Sequence, residues 1–277
     1  MFTQGMEFDL GEDVNALRDM VHRWAQDRVR PLAAATDRDN AFPSDLWTEM
    51  GDLGLLGITV PEEWGGAGLG YLAHVVAVEE IARASASISL SYGAHSNLCV
   101  NQIKLNGSDD QRAKYLPALC SGRAVGALAM SEEGAGSDVV GMKLRAEKKN
   151  DRYVLNGNKY WITNAPDAQI LVVYAKTDPD AGSRGITAFI VEPGSGPGFD
   201  ATPIALAGLS RCLRSCAVHL DDFAVPVANR LGEEGQGFAI AMNALEYGRL
   251  TVSARLVGLA QACLDEARAY ARDRVVG

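Results

Sequence analysis

The sequence contains no uncharged apolar run of about 18 residues, so no segment reads as a membrane-spanning helix. Its start, MFTQGMEFDL, lacks the basic and apolar blocks of a secretory signal, and no signal peptide is expected. Positive charge is scarce: 26 Lys and Arg stand against 35 Asp and Glu, a formal net charge of −9. Proteins that hold a phosphate backbone rely on clustered Lys and Arg, so nucleic acid is not expected as a partner. There is no G-x-G-x-x-G between a strand and a helix, no G-x-x-x-x-G-K-[ST], no G-x-S-x-G and no H-E-x-x-H. Those absences argue against a Rossmann fingerprint, a P-loop, an α/β-hydrolase elbow and a zinc protease helix. Cysteine is sparse, scattered and odd in number (Cys99, Cys120, Cys212, Cys216 and Cys263), which suits reduced thiols in the cytoplasm or an equivalent reducing space. Cys212, Cys216 and His219 have metal-like spacing, but no fourth ligand is near, and strand alternation would send them to opposite faces. No metal is expected.

What is present is a globular composition, 47% apolar and 22% charged over 277 residues, long enough for two domains at roughly 100–200 residues each. Val14, Leu17, Val21 and Trp24 recur at helical spacing, and a second helix opens at Pro43-Ser44, burying Leu46, Met50 and Leu53. PEEWGGAGLG at Pro61–Gly70 reads as loop. From Tyr71 to about Leu105 helix formers dominate, with a break expected near Ser91–Gly93. Ser108 and Gln111 form a capping-box pattern for a helix through Leu119. After Gly122 the period changes. Asn156-Gly157 between two β-prone runs predicts a hairpin, and Ile170–Ala175, Ile186–Val191 and Ala217–Leu220 predict further strands. The helical period returns at Gly235. Phe238, Met242, Leu245, Arg249, Val252, Leu256, Leu259 and Cys263 then lie along one side of a segment reaching Val276, a stripe without a partner in its own segment. The expected fold is α+β and multidomain: a helical domain at 1–123, a β-barrel or sandwich domain at 124–234, and the first helix of a third domain at 235–277.

Two stretches can carry chemistry. GALAMSEEGAGSDV, Gly126–Val139, reads as a strand followed by a turn of small residues that can approach a flat polar ring or a phosphate closely. NKYWITN, Asn158–Asn164, adds an indole and a hydroxyl at a strand end. Each alone is also compatible with a plain tight turn or ordinary packing.

Together with Tyr92–Cys99 (YGAHSNLC), Leu155–Lys159 (LNGNK) and Tyr174–Asp178 (YAKTD), these strings make the chain resemble the acyl-CoA dehydrogenases, and within them the isovaleryl-CoA dehydrogenase branch. The resemblance implies bound FAD and a homotetramer with a C-terminal four-helix domain. It also implies transfer of electrons to an electron-transfer flavoprotein, in fatty acid or branched-chain amino acid catabolism. The reaction it implies is α,β-desaturation of a short or branched acyl-CoA, with the α-hydrogen leaving as a proton and the β-hydrogen as a hydride to the flavin. It places Leu128, Met130, Ser131, Gly136, Ser137, Trp161, Ile162 and Thr163 at the flavin, and Ser137, Ser183, Arg184 and Arg249 at the acyl-CoA.

The chain departs from that pattern at the base. In the isovaleryl branch a Glu directly precedes the Arg that matches Arg249, and here that position is Gly248. The nearest carboxylate, Glu246, lies two residues earlier and should point away from that face, since two helical residues rotate by about 200°. In most other branches the base lies farther along the C-terminal domain. Gly208–Cys216 (GLSRCLRSC) also departs from the family string, as do Glu133 in place of Pro and Ala165 in place of Gly. A non-catalytic flavin or acyl-CoA-binding subunit, and a flavin oxidase or monooxygenase of the same fold, are the alternatives.

Overall fold

The computed structural model describes residues 9–204 and 211–275. Helices α1 (Glu12–Trp24), α2 (Ala33–Asp39), α3 (Asp45–Asp52), α4 (Gly70–Ala84), α5 (Ala86–Gly93), α6 (Asn101–Asn106) and α7 (Asp109–Cys120) come first. The expected break in the long helical stretch falls at Ser85, not at Ser91–Gly93. Ser85 is extended and its hydroxyl accepts the Ile88 N–H, capping α5. Ser91–Gly93 instead runs on into a π-helical turn, Ala94–Val100. The Ser108–Gln111 capping box forms as expected, and the Gln111 amide also donates to the Ala228 and Arg230 carbonyls, tying α7 to the β region.

The strands are β1 (Gly126–Ala129), β2 (Arg145–Lys149), β3 (Arg152–Ile162), β4 (Ile170–Lys176), β5 (Ile186–Val191), β6 (Phe199–Pro203), β7 (Cys216–Pro226) and β8 (Arg230–Leu231). Their order is β6-β7-β3-β2-β4-β5-β8, with β1 parallel to β4. The unbroken apolar run of β4 reflects burial on both faces. Leu171, Val173 and Ala175 face the core between strands, while Ile170, Val172 and Tyr174 face the helices.

The hairpin expected at Asn156-Gly157 does not exist: both residues lie inside β3, and β2 turns into β3 at Asn150-Asp151, with Asn150 at φ 58°. Asn156 instead serves a bulge in β7. Its amide donates to the Asp222 carboxylate and accepts the Asp222 N–H at 2.8 Å. Gly157, at φ 138°, leaves room for Leu144, whose Cα a Cβ would approach to 2.9 Å. An Asn-Gly pair supplies polar reach and backbone freedom, and a bulged strand uses both as readily as a turn does.

Helix α8 (Gly237–Asp273) docks by a different stripe from the expected one. Its buried residues are Gly237, Ile240, Ala241, Ala244, Thr251, Ala254 and Gly258. Phe238, Met242 and Leu245 are partly buried against the core, but Val252, Leu256, Leu259 and Cys263 are exposed. Small residues win the contact because they let the backbones approach: a Cβ on Gly258 would lie 2.1 Å from the Glu79 carbonyl oxygen on α4. The large apolar side chains are left facing outward.

Candidate active site

The turn after β1 and the end of β3 meet across a cavity of about 200 Å³. Leu128, Met130, Ser131, Trp161, Ile162 and Thr163 line it, six of the residues expected at a flavin, together with Ala94, Leu98, Ala244 and Leu245. The geometry of the β3 end follows from a second bulge. Lys159 pairs with Val218 and Ile162 with Cys216, which leaves one extra residue on β3. Trp161 takes up the irregularity at φ 65°, a left-handed conformation rare for a bulky residue, and its side chain is 53% exposed. A bulge re-aims a side chain, and strain of about 1–3 kcal/mol at such a residue persists only where its surroundings hold it.

Several bonds do the holding. The Tyr160 N–H donates to the Ser131 carbonyl at 2.8 Å, joining the two segments directly. Glu132 and Ala135 exchange backbone hydrogen bonds and close the turn. Lys159, fully buried, donates to the Met130 carbonyl and to Glu132, each at 2.9 Å, and Glu132 also accepts the Lys143 and Leu144 N–H groups. Burial pushes the Lys159 ammonium down to about 8, with Glu132 opposing that shift. Asn164, at φ 67°, donates to the carbonyls of Ser91 and Gly126 and so fixes the strand end against α5 and β1. His95 completes the frame: its Nδ1 accepts the Gly126 N–H at 2.8 Å, and its Nε2–H donates to the Leu119 carbonyl.

A second, mostly apolar cavity of about 350 Å³ adjoins the first and shares Ala94, Leu98 and Leu245 with it. Leu90, Gly93, Asn97, Gly248, Arg249, Thr251, Val252 and Ser253 supply the rest of its lining. Asn97 Nδ2 donates to the Thr251 hydroxyl at 2.9 Å and bonds the π-helical turn to α8. A Cβ on Gly248 would lie 3.3 Å from Leu98 Cδ2, so this position faces the cavity. Glu246 is exposed and lines neither cavity, and among the described residues no Asp or Glu lines either.

The other expected residues are not brought to the cavities. Gly136 and Ser137 lie on the exposed turn beyond Ala135. Ser183 and Arg184 sit on a short helical turn, Gly182–Gly185, next to Gly235 at the approach to α8. Glu133 is exposed. Cys216 is buried while His219 is exposed and bonded to Asn158, so they lie on opposite faces of β7. Gly208–Ser210 lie outside the described residues. Sequence reasoning missed Lys159 and Glu132 as a framing pair, and Ala94 and Leu98 as wall residues. A Lys inside an alternating strand looks solvent-facing until its partner is known, and a π-helical turn leaves no periodic trace.

Comparisons agree with this architecture. Residues 11–123, 127–223 and 235–277 match, in order, the families described as acyl-CoA dehydrogenase N-terminal domain, middle domain and C-terminal domain. A mitochondrial isovaleryl-CoA dehydrogenase of Oryza sativa subsp. japonica is 55% identical over 260 residues, covering 93% of this chain. The chain spans 63% of that relative's length. A chain in the solved structure of the electron transferring flavoprotein of Acidaminococcus fermentans superposes with a TM-score of 0.94 at 36% identity, covering 98% of this chain and 71% of that one. An acyl-CoA dehydrogenase from Bacillus anthracis, solved in complex with FAD, superposes at 0.90 with 33% identity, covering 97% and 45%. The chain belongs to the acyl-CoA dehydrogenase family.

Proposed function

We propose that the protein is an FAD-dependent acyl-CoA dehydrogenase that desaturates a short or branched acyl-CoA and passes electrons to an electron-transfer flavoprotein. The observation that carries this reading is the pair of adjoining cavities, one walled by Met130, Ser131, Trp161 and Thr163 and the other apolar along α8. The residues fit a flat flavin ring. Gly134 and Gly136 have no positive φ, and a Cβ on either would meet no atom within 4 Å, so nothing inside the chain demands glycine there. The small residues of this turn leave it open to close approach by a ligand.

Bound FAD supplies the acceptor for the hydride, and the chain supplies placement. The Ser131 and Thr163 hydroxyls would offer hydrogen bonds to the flavin, while Leu128 and Ile162 would help exclude water from the cavity. Ala94, Leu98 and Leu245 are common to both cavities, so they would bring an acyl chain held in the apolar cavity next to the flavin. Arg249, at the rim of the apolar cavity, suits the CoA end, with Ser137, Ser183 and Arg184 farther out along the same molecule. No described carboxylate lines the acyl cavity, and Gly248, which faces it from α8, carries no side chain. That observation favours a second reading, a subunit that binds flavin and acyl-CoA without turnover.

We place the protein in the cytoplasm, in keeping with its free thiols, although the rice relative is mitochondrial. The outward apolar face of α8 suits assembly into a tetramer. Anaerobic addition of isovaleryl-CoA to the FAD-loaded chain separates the two readings. Bleaching of the visible flavin absorbance supports the dehydrogenase. Bound acyl-CoA with no bleaching supports the non-catalytic subunit.

A further inference from the structure

We propose that the buried Lys159 and its half-buried partner Glu132 are a positioning device for the flavin, tying the two arms of its cavity to each other at the Met130 carbonyl. The inference rests on the flavoprotein reading above. Lys159 grows from β3, two residues before the left-handed Trp161, and its ammonium ends on the opposite arm at the Met130 carbonyl. Its three donors are accounted for: Met130 O at 2.9 Å, Glu132 Oε1 at 2.9 Å and Met142 Sδ at 3.7 Å. The carboxylate is equally committed. Glu132 Oε1 accepts Lys159 and the Leu144 N–H at 3.0 Å, and Oε2 accepts the Lys143 N–H at 2.6 Å. Met130 and Ser131, which line the cavity, are thereby held from behind by side chains that do not line it.

Burying the Lys159 charge against a half-buried carboxylate needs a reason, because a buried ion pair is often no more stable than a well-packed apolar pair of similar volume. Stability alone would be served as well by hydrocarbon in this place. What hydrocarbon lacks is direction: an ammonium with three fixed acceptors determines where the Met130 carbonyl stands relative to β3. The Tyr160–Ser131 backbone bond joins the same two arms one residue on, and Lys159 adds a side-chain tie at the Met130 carbonyl. The pair acts through the turn and does not itself line the flavin cavity.

The test compares the wild-type chain with Lys159→Met, Glu132→Gln and the double variant. Its readouts are FAD dissociation constant, visible circular dichroism of the bound flavin, and melting temperature without FAD. Each single variant is expected to weaken FAD binding at least ten-fold and alter the flavin dichroism. The double variant, with no unpaired charge left, should recover melting temperature but not FAD affinity. Should a single variant fail to fold, the double variant carries the comparison alone. Affinity that follows melting temperature across the series, or wild-type affinity in a folded variant, overturns the positioning role alone. A wild-type chain that takes up no FAD overturns the flavoprotein reading and this inference with it.

Discussion

The two walls of the site are built by different means. The wall from the middle domain is a bonded frame, in which Lys159, Glu132 and Asn164 fix backbone groups, and His95 reaches across from the π-helical turn to accept the Gly126 N–H. The wall from α8 and the π-helical turn combines one side-chain bond, Asn97 to Thr251, with close approach: a Cβ on Gly93 would meet Thr251 Cγ2 at 2.7 Å, and Gly258 packs against the α4 backbone. A bonded wall keeps its shape whatever fills the cavity, as suits a resident cofactor. A wall of small residues takes its shape from side-chain volumes, as suits an acyl cavity that must differ with chain length.

If that contrast is right, volume should break one wall and bonding the other. The largest effect is expected for Gly258→Val, whose Cβ would collide with the Glu79 carbonyl oxygen, an atom of the backbone that cannot rotate away. Overpacking of this kind costs about 3 kcal/mol, and denaturant unfolding should show it. A loss below about 0.5 kcal/mol would mean that α8 is not docked by close approach.

Protonation attacks the bonded wall. Burial holds His95, and likewise His74, down to about 4 from an ordinary 6.5. Between those values the unfolded chain takes up protons that the folded chain refuses. Stability is therefore complete above about pH 6.5 and falls as pH drops toward 4. His95 is neutral by necessity, because its Nδ1 accepts the Gly126 N–H. Melting curves at about pH 7 and pH 5 should show the fall, and His95→Gln should flatten it. An equal slope in the variant removes His95 from the account.

These contrasts also explain what the sequence could reveal. The capping box at Ser108, the strand Ile186–Val191 and the turn at Met130–Ser137 are local patterns, and local chemistry decides them. Asn156-Gly157 is equally local, but the bulge at Asp222 that recruits it lies some 66 residues away. The buried stripe of α8 was hidden for a similar reason: hydrophobic periodicity marks the large residues, whereas docking against α4, α5 and the π-helical turn selected Thr251, Ala254 and Gly258. Lys159 carries no periodic signal, and its meaning appears only with Glu132 beside it.

The smallest effect sharpens the bonded wall at one atom. Thr163→Val keeps shape and removes a hydroxyl from the flavin cavity. Losing one hydrogen bond of about 1 kcal/mol corresponds to about a five-fold weaker FAD dissociation constant. An unchanged constant would take Thr163 out of the contact set.

Whether a flavin is held between the two walls is read from the visible spectrum of the chain. After incubation with FAD and removal of free cofactor, the account predicts a yellow protein whose flavin bands are perturbed from those of free FAD. A folded, colourless chain would contradict it.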